Sequence, residues 1–161
     1  MTLTAGTAHC MEGAMLAAAA FWYHGGKPLL LDLKTKDARD FDHVVAPFKI
    51  HGLWGAISKT NHAVLRYRDP IYRDIRELVM SYFNEYFLDD GKKTLRSHST
   101  LFDLSTLGTD WLTSKKNLWN VAELLDRSPH VNILKDKRVV KDLRRANRTE
   151  IEAGKIIEWK K

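Results

Sequence analysis

The chain has 161 residues, 44% hydrophobic and 29% charged, with five Trp, five Tyr and six Phe. That length and composition predict a single domain, 1–161, with enough apolar material for a real core. A single cysteine excludes an internal disulfide framework and fits a reducing compartment. Glu12 and Gly13 sit where a leader's apolar run would begin, and nothing later reaches membrane-spanning length, so a cytoplasmic protein with no membrane partner is expected.

The net charge of +6 raises the question of nucleic acid. From Lys135 to Lys161, however, ten Lys/Arg stand against five Asp/Glu, so nearly all of the excess lies in the last segment and the remainder is close to balanced. No recognised nucleic-acid motif accompanies it, and a solvated basic helix is the more economical reading.

In chain order, the alanine-rich stretch from Thr7 to His24 predicts a helix, with Thr7 as N-cap and Gly25-Gly26 ending it. Met11, Met15, Ala18 and Trp22 recur at spacings of three and four, giving one inward face. Cys10 falls in the first turn, where unpaired N–H groups and the positive end of the helix dipole favour a thiolate. The run from Lys27 to Leu33 reads as a buried strand, and Lys34 to Asp42 as a loop. His43 to Ile50 reads as a second strand that Pro47 restricts to an edge or a bulge. His51-Gly52 signals a tight hairpin, with Leu53 to Ser58 returning, and after a turn at Lys59-Thr60-Asn61 the alternation from His62 to Tyr67 predicts another strand.

Asp69-Pro70 looks like a capped helix start, followed by an apolar stripe through Ile71, Ile75, Leu78, Val79, Tyr82, Phe83 and Tyr86 to about Phe87. Asp89-Asp90-Gly91 ends it in a turn. Lys92 to Leu107 is polar, with Leu101, Phe102 and Leu104 anchoring a short strand or loop. One or two short helices are expected between Trp111 and Leu125, a break at Ser128-Pro129, and a terminal helix from about Lys137 to Trp159.

The order is therefore a helix led by Cys10, a strand, a strand led by His43, and a hairpin strand ending at Ser58. This is the plan of a thiol acyl-transfer site. A thiolate attacks an amide or ester carbonyl, an imidazole stabilises it and then protonates the leaving amine, and a third side chain orients the imidazole. Cys10 in HCMEGAMLAAAAF, the strand from Pro28 to Leu33, His43 in DHVVAPF and Trp54 in GLWGAIS resemble the core of the transglutaminase-like superfamily. The longer run WGAISKTNHAVLRYRDPIYR is similar to uncharacterised bacterial transglutaminase-like proteins. The resemblance covers roughly residues 8–90, with a helical, basic part at about 110–161. It implies a transglutaminase-like or papain-like α+β core, an antiparallel sheet packed on a central helix with cysteine at its N-terminus.

The pattern of that family places an aspartate four residues after the hairpin tryptophan, where this chain has Ser58. A serine accepts a hydrogen bond but brings no charge to an imidazolium. Asn61 is the substitute third member, as asparagine is in papain-like enzymes, and Asp32, Asp40 and Asp42 are further candidates. Only nine residues precede Cys10, where relatives carry helical material that builds part of the cleft, so the Cys10 N–H is the oxyanion donor the sequence can name.

The catalytic set is thus Cys10, His43, Ser58 and Asn61, acting on a peptide or amide by hydrolysis or by transfer to an amine. No organic cofactor is implied, and His24, His51 and His62 lack metal-ligand spacing, so no metal is expected. Glu12 favours the helix dipole more than it suits a base. Arg66, Arg68 and Arg73, between Tyr67 and Tyr72, read first as a surface ion-pair network with Asp69, Asp74 and Glu77, and second as a carboxylate or phosphate clamp. Two other readings of the whole stay open: an inactive binding domain of the same fold, favoured by Ser58, and an anion or nucleic-acid binder using Arg144, Arg145 and Arg148 of the basic terminal helix.

Overall fold

A computed structural model describes residues 8–60, 62–114 and 118–155. Thr7, Asn61 and the end of the terminal helix at Trp159 therefore lie outside the described residues. The fold is α+β. Seven antiparallel strands, β1 (Leu29–Thr35), β2 (His43–Ile50), β3 (Leu53–Ile57), β4 (Tyr67–Tyr72), β5 (Leu95–Ser99), β6 (Phe102–Asp103) and β7 (His130–Asn132), form one sheet in the order β4-β3-β2-β1-β5-β7, with β6 also on β1.

Helix α1 (Cys10–Tyr23) covers one face, and α2 (Ile75–Tyr82) covers the other. On the α1 side Ala14, Met15 and Ala18 cluster with Leu30, Val44 and Ala46, and Phe21 stacks on Phe48 with ring centroids 4.7 Å apart. On the α2 side Leu78, Val79 and Tyr82 cluster with Leu31, Leu33, Val45 and Ala56. Because both faces are covered, β1 and β2 are buried through consecutive residues, which is why Leu29 to Leu33 carries no polar alternation except at Asp32. Trp22 of α1 stacks on Trp111 of α3 (Asp110–Thr113), and α4 (Trp119–Arg127) adds Val121 and Leu125 to the same cluster.

The hairpin forms as expected, with His51 at φ 50° and Gly52 at φ 84°, the left-handed pair that a two-residue turn requires. Gly25 ends α1 at φ 83°, and Gly26 N donates to Phe21 O at 2.8 Å.

Several expectations are corrected. Pro47 lies in an interior strand, not at an edge, and is tolerated because the β1–β2 pairs end at Leu31 and Val45, leaving Pro47 to face Ala56 of β3. Ala63–Leu65 is a 3-10 turn, and the strand comes later, at Tyr67–Tyr72. Pro70 sits in that strand at the sheet edge, where a missing N–H costs little, so Asp69 caps nothing. The helix waits for Asp74, whose carboxylate accepts from Glu77 N at 2.8 Å, and its regular part ends at Tyr82.

The sequence LRSHS forms a buried strand, β5, although its pattern is polar. The terminal helix is two short ones, α5 (Lys137–Asp142) and α6 (Arg148–Gly154), the second restarted by an Asn147–Glu150 capping box. No helix among the described residues is long and apolar enough to cross a membrane.

Candidate functional site

Cys10 is the first residue of α1. The first bond inside the helix runs from Gly13 N to His9 O at 3.0 Å, so the Cys10 N–H has no partner within the helix. Glu12 turns back and accepts from His9 N at 2.9 Å, fixing the start of the helix one residue before the thiol. A Cβ on Gly13 would lie 2.1 Å from Lys59 Cβ, so the missing side chain lets the segment after β3 pass close to this first turn.

Cys10 and His43 line one cleft of about 280 Å³, together with Asp40, Asp42, His62 and Tyr86. His43 opens β2 opposite Leu33 of β1. Since Val44 and Ala46 meet α1 whereas Val45 meets the α2 core, the strand alternation puts His43 on the α2 side. The imidazole and the thiol thus reach the cleft from two layers of the fold. No hydrogen bond joins them among the described residues, and His43 Nε2 is buried with no hydrogen-bond partner among those residues. Burial, with a smaller effect from the charge of His62, lowers the His43 pKa to about 4, so the ring is neutral at pH 7.

Ser58 is buried, and its hydroxyl donates to Leu65 O at 2.6 Å while its N–H donates to Arg66 O at 2.8 Å. It holds the 3-10 turn to the end of β3, and no hydrogen bond joins it to His43 among the described residues. Of the other candidates for a third member, Asp40 accepts from Phe41 N at 2.9 Å and from the Thr94 hydroxyl. Asp42 accepts from Thr35 N at 2.8 Å. Both lie on the cleft wall but are engaged elsewhere. Asp32 is not in the cleft: its carboxylate is 3.2 Å from His130 Nε2, and its N–H donates to Ser99 Oγ at 2.9 Å.

Three features escaped sequence reasoning. Tyr86 supplies cleft wall and ties down the 36–42 loop by donating to Phe41 O at 2.6 Å. His62 closes another side, its Nδ1 donating to Gly154 O at 2.7 Å. His130 pairs with Asp32 across 98 residues of sequence, a contact that no local pattern encodes. The expected arginine network forms in part: Arg73 is 3.5 Å from Glu77, one of the expected partners, whereas Arg68 lies over the Tyr82 ring at 4.1 Å and pairs with Glu85. Arg144, Arg145 and Arg148 pair with Glu150, Asp90 and Glu152.

Asp32, Asp42 and Asp126 bring carboxylate oxygens within 4.8 Å of one another, the one described group with metal-like clustering. Lys34 pairs with Asp126 and lies 3.8 Å from Asp42, so an ammonium already meets that negative charge. No family model matches the chain, and no curated protein matches it in sequence.

Proposed function

We propose that the Cys10–His43 cleft carries out cysteine-dependent acyl transfer on an amide or ester, with hydrolysis the simpler outcome, within a transglutaminase-like core. The observation that carries this reading is that one cleft is lined both by a thiol on the first residue of a helix and by a buried imidazole whose Nε2 has no hydrogen-bond partner among the described residues.

The Sγ of Cys10 attacks the carbonyl carbon, forming the S–C bond while its proton passes to His43. Burial resists a charged imidazole, and the negative charge that develops on the attacked carbonyl oxygen offsets that cost. The helix start favours the anion, and the Cys10 N–H is the available donor to the oxyanion. Collapse breaks the C–N or C–O bond, and His43 returns its proton to the leaving group. Water then attacks the Cys10 thioester, giving its proton to His43, and the carboxylic acid leaves as the thiol is restored. Incubation with p-nitrophenyl acetate should leave an acetyl group on Cys10, detected by intact mass and peptide mapping. Absence of both that adduct and any Cys10-dependent release of p-nitrophenol, with the parent still folded, contradicts the proposal.

One observation favours the second reading, a binding domain of the same fold without turnover. The serine in the third position is committed to Leu65, and no described acceptor orients His43. A Cys10 that forms the adduct no faster than free cysteine favours this reading.

A further inference from the structure

A second cavity, of about 410 Å³, shares no lining residue with the Cys10 cleft. Lys36 from the segment after β1, Arg96 of β5, and Lys135 and Lys137 around the start of α5 line it, above Leu134 and Val140. Asn132 at the end of β7 adds a neutral amide, and no carboxylate lines the cavity among the described residues. Its volume is in the range of small-molecule sites.

None of the four cations has an ion-pair partner among the described residues. Arg96 is half-buried, and of its five N–H donors two are used, on Leu95 O and Lys93 O, both at 2.7 Å. The remaining donors belong to a guanidinium partly removed from water with no counter-charge, a state that an anion relieves. Asp136 lies between Lys135 and Lys137 in sequence, but its carboxylate faces Arg138 at 2.8 Å and accepts from Arg138 N. Protein carboxylates thus leave this cavity's charge unmet.

We infer that this cavity binds a small polyanion, a molecule carrying two adjacent phosphate groups, with a short apolar portion resting on Leu134 and Val140. Four cations converging on one concavity match a diphosphate, and the planar Arg96 fork suits its oxygens. A nucleic-acid strand, the other source of linked phosphates, needs a track of free cations. Among the described residues beyond the cavity, Arg127, Arg138, Arg144, Arg145 and Arg148 pair with carboxylates, which breaks up such a track.

The test is calorimetric titration of the full chain at low salt with pyrophosphate and, separately, with a single-stranded oligonucleotide. Pyrophosphate should saturate one site. The double variant Lys36→Gln/Lys135→Gln, both exposed positions, should weaken it at least tenfold with an unchanged far-UV circular dichroism spectrum. The variant Arg144→Gln should bind as the parent does. No saturable pyrophosphate binding, equal binding by the double variant, or tighter binding of the oligonucleotide that falls in Arg144→Gln would overturn the inference.

Discussion

Ser58 donates its buried hydroxyl to the carbonyl of Leu65 at 2.6 Å, clamping the 3-10 turn to the end of β3. A hydroxyl held in this way is a structural donor. Ser58→Ala should cost about 1 kcal/mol in urea unfolding by leaving that carbonyl short of a partner, while Cys10 alkylation stays within twofold of the parent. A large change in thiol reactivity with stability intact would return Ser58 to the chemistry.

His43 makes stability depend on pH. Its folded pKa of about 4 lies below the unfolded value of about 6.5, so the unfolded chain binds the proton first as pH falls. The contribution is fully present above about 6.5 and is lost progressively down to about 4, amounting to roughly 2 kcal/mol between pH 7 and pH 5. Urea midpoints at the two pH values, compared with those of His43→Gln, should show a steeper loss in the parent. Equal slopes would mean that the imidazole is not desolvated.

Gly13 is a glycine of packing rather than of φ. Alanine there gains about 1 kcal/mol of helix propensity, but its Cβ would lie 2.1 Å from Lys59 Cβ, and the displaced segment follows Ser58 directly. Overpacking of this kind costs about 1–3 kcal/mol, so Gly13→Ala should lower the melting temperature. A raised melting temperature would show that the segment after β3 yields freely.

Asp32 and His130 are joined by a hydrogen bond, Oδ2 to Nε2 at 3.2 Å. His130 Nδ1 is 2.6 Å from Ser128 O, which only accepts, so that nitrogen carries hydrogen. The contact of Nε2 with Asp32 then needs a second hydrogen, on either the imidazole or the carboxyl. Burial raises the Asp32 pKa, against the lowering effect of the His130 hydrogen bond. Asp32→Asn supplies an N–H to Nε2 and should retain most of the stability, whereas Asp32→Ala should lose about 1–3 kcal/mol. Equal losses in urea unfolding would mean that an amide N–H does not replace the carboxyl in this contact.

What the sequence made legible follows from where local pattern and tertiary structure agree. The Met11, Met15, Ala18, Trp22 stripe and the alanines announce α1, and the apolar run before Lys34 announces β1, because burial on both faces demands it. His51-Gly52 announces the β2–β3 hairpin through its backbone alone. Asp69-Pro70 misleads because the same pair suits a helix start and an edge strand, and only the pairing of Trp54 with Tyr72 and Ala56 with Arg68 decides. β5 is illegible because Ser97, His98 and Ser99 are buried polar residues, and Ser99 and His98 find partners at Asp32 N and a backbone carbonyl. Cys10 and His43 could be named from order and resemblance. The engagement of Ser58 and the gathering of Lys36, Arg96 and Lys135 depend on long-range folding that no spacing records.

The most direct measurement is the rate of Cys10 alkylation by iodoacetamide at neutral pH, in the parent and in His43→Ala. Proton transfer to the imidazole predicts a parent rate well above that of free cysteine, falling at least tenfold in His43→Ala while circular dichroism shows the variant folded. A parent rate no higher than that of free cysteine, or one that His43→Ala leaves unchanged, would contradict a Cys10–His43 site and leave the domain as a binding module.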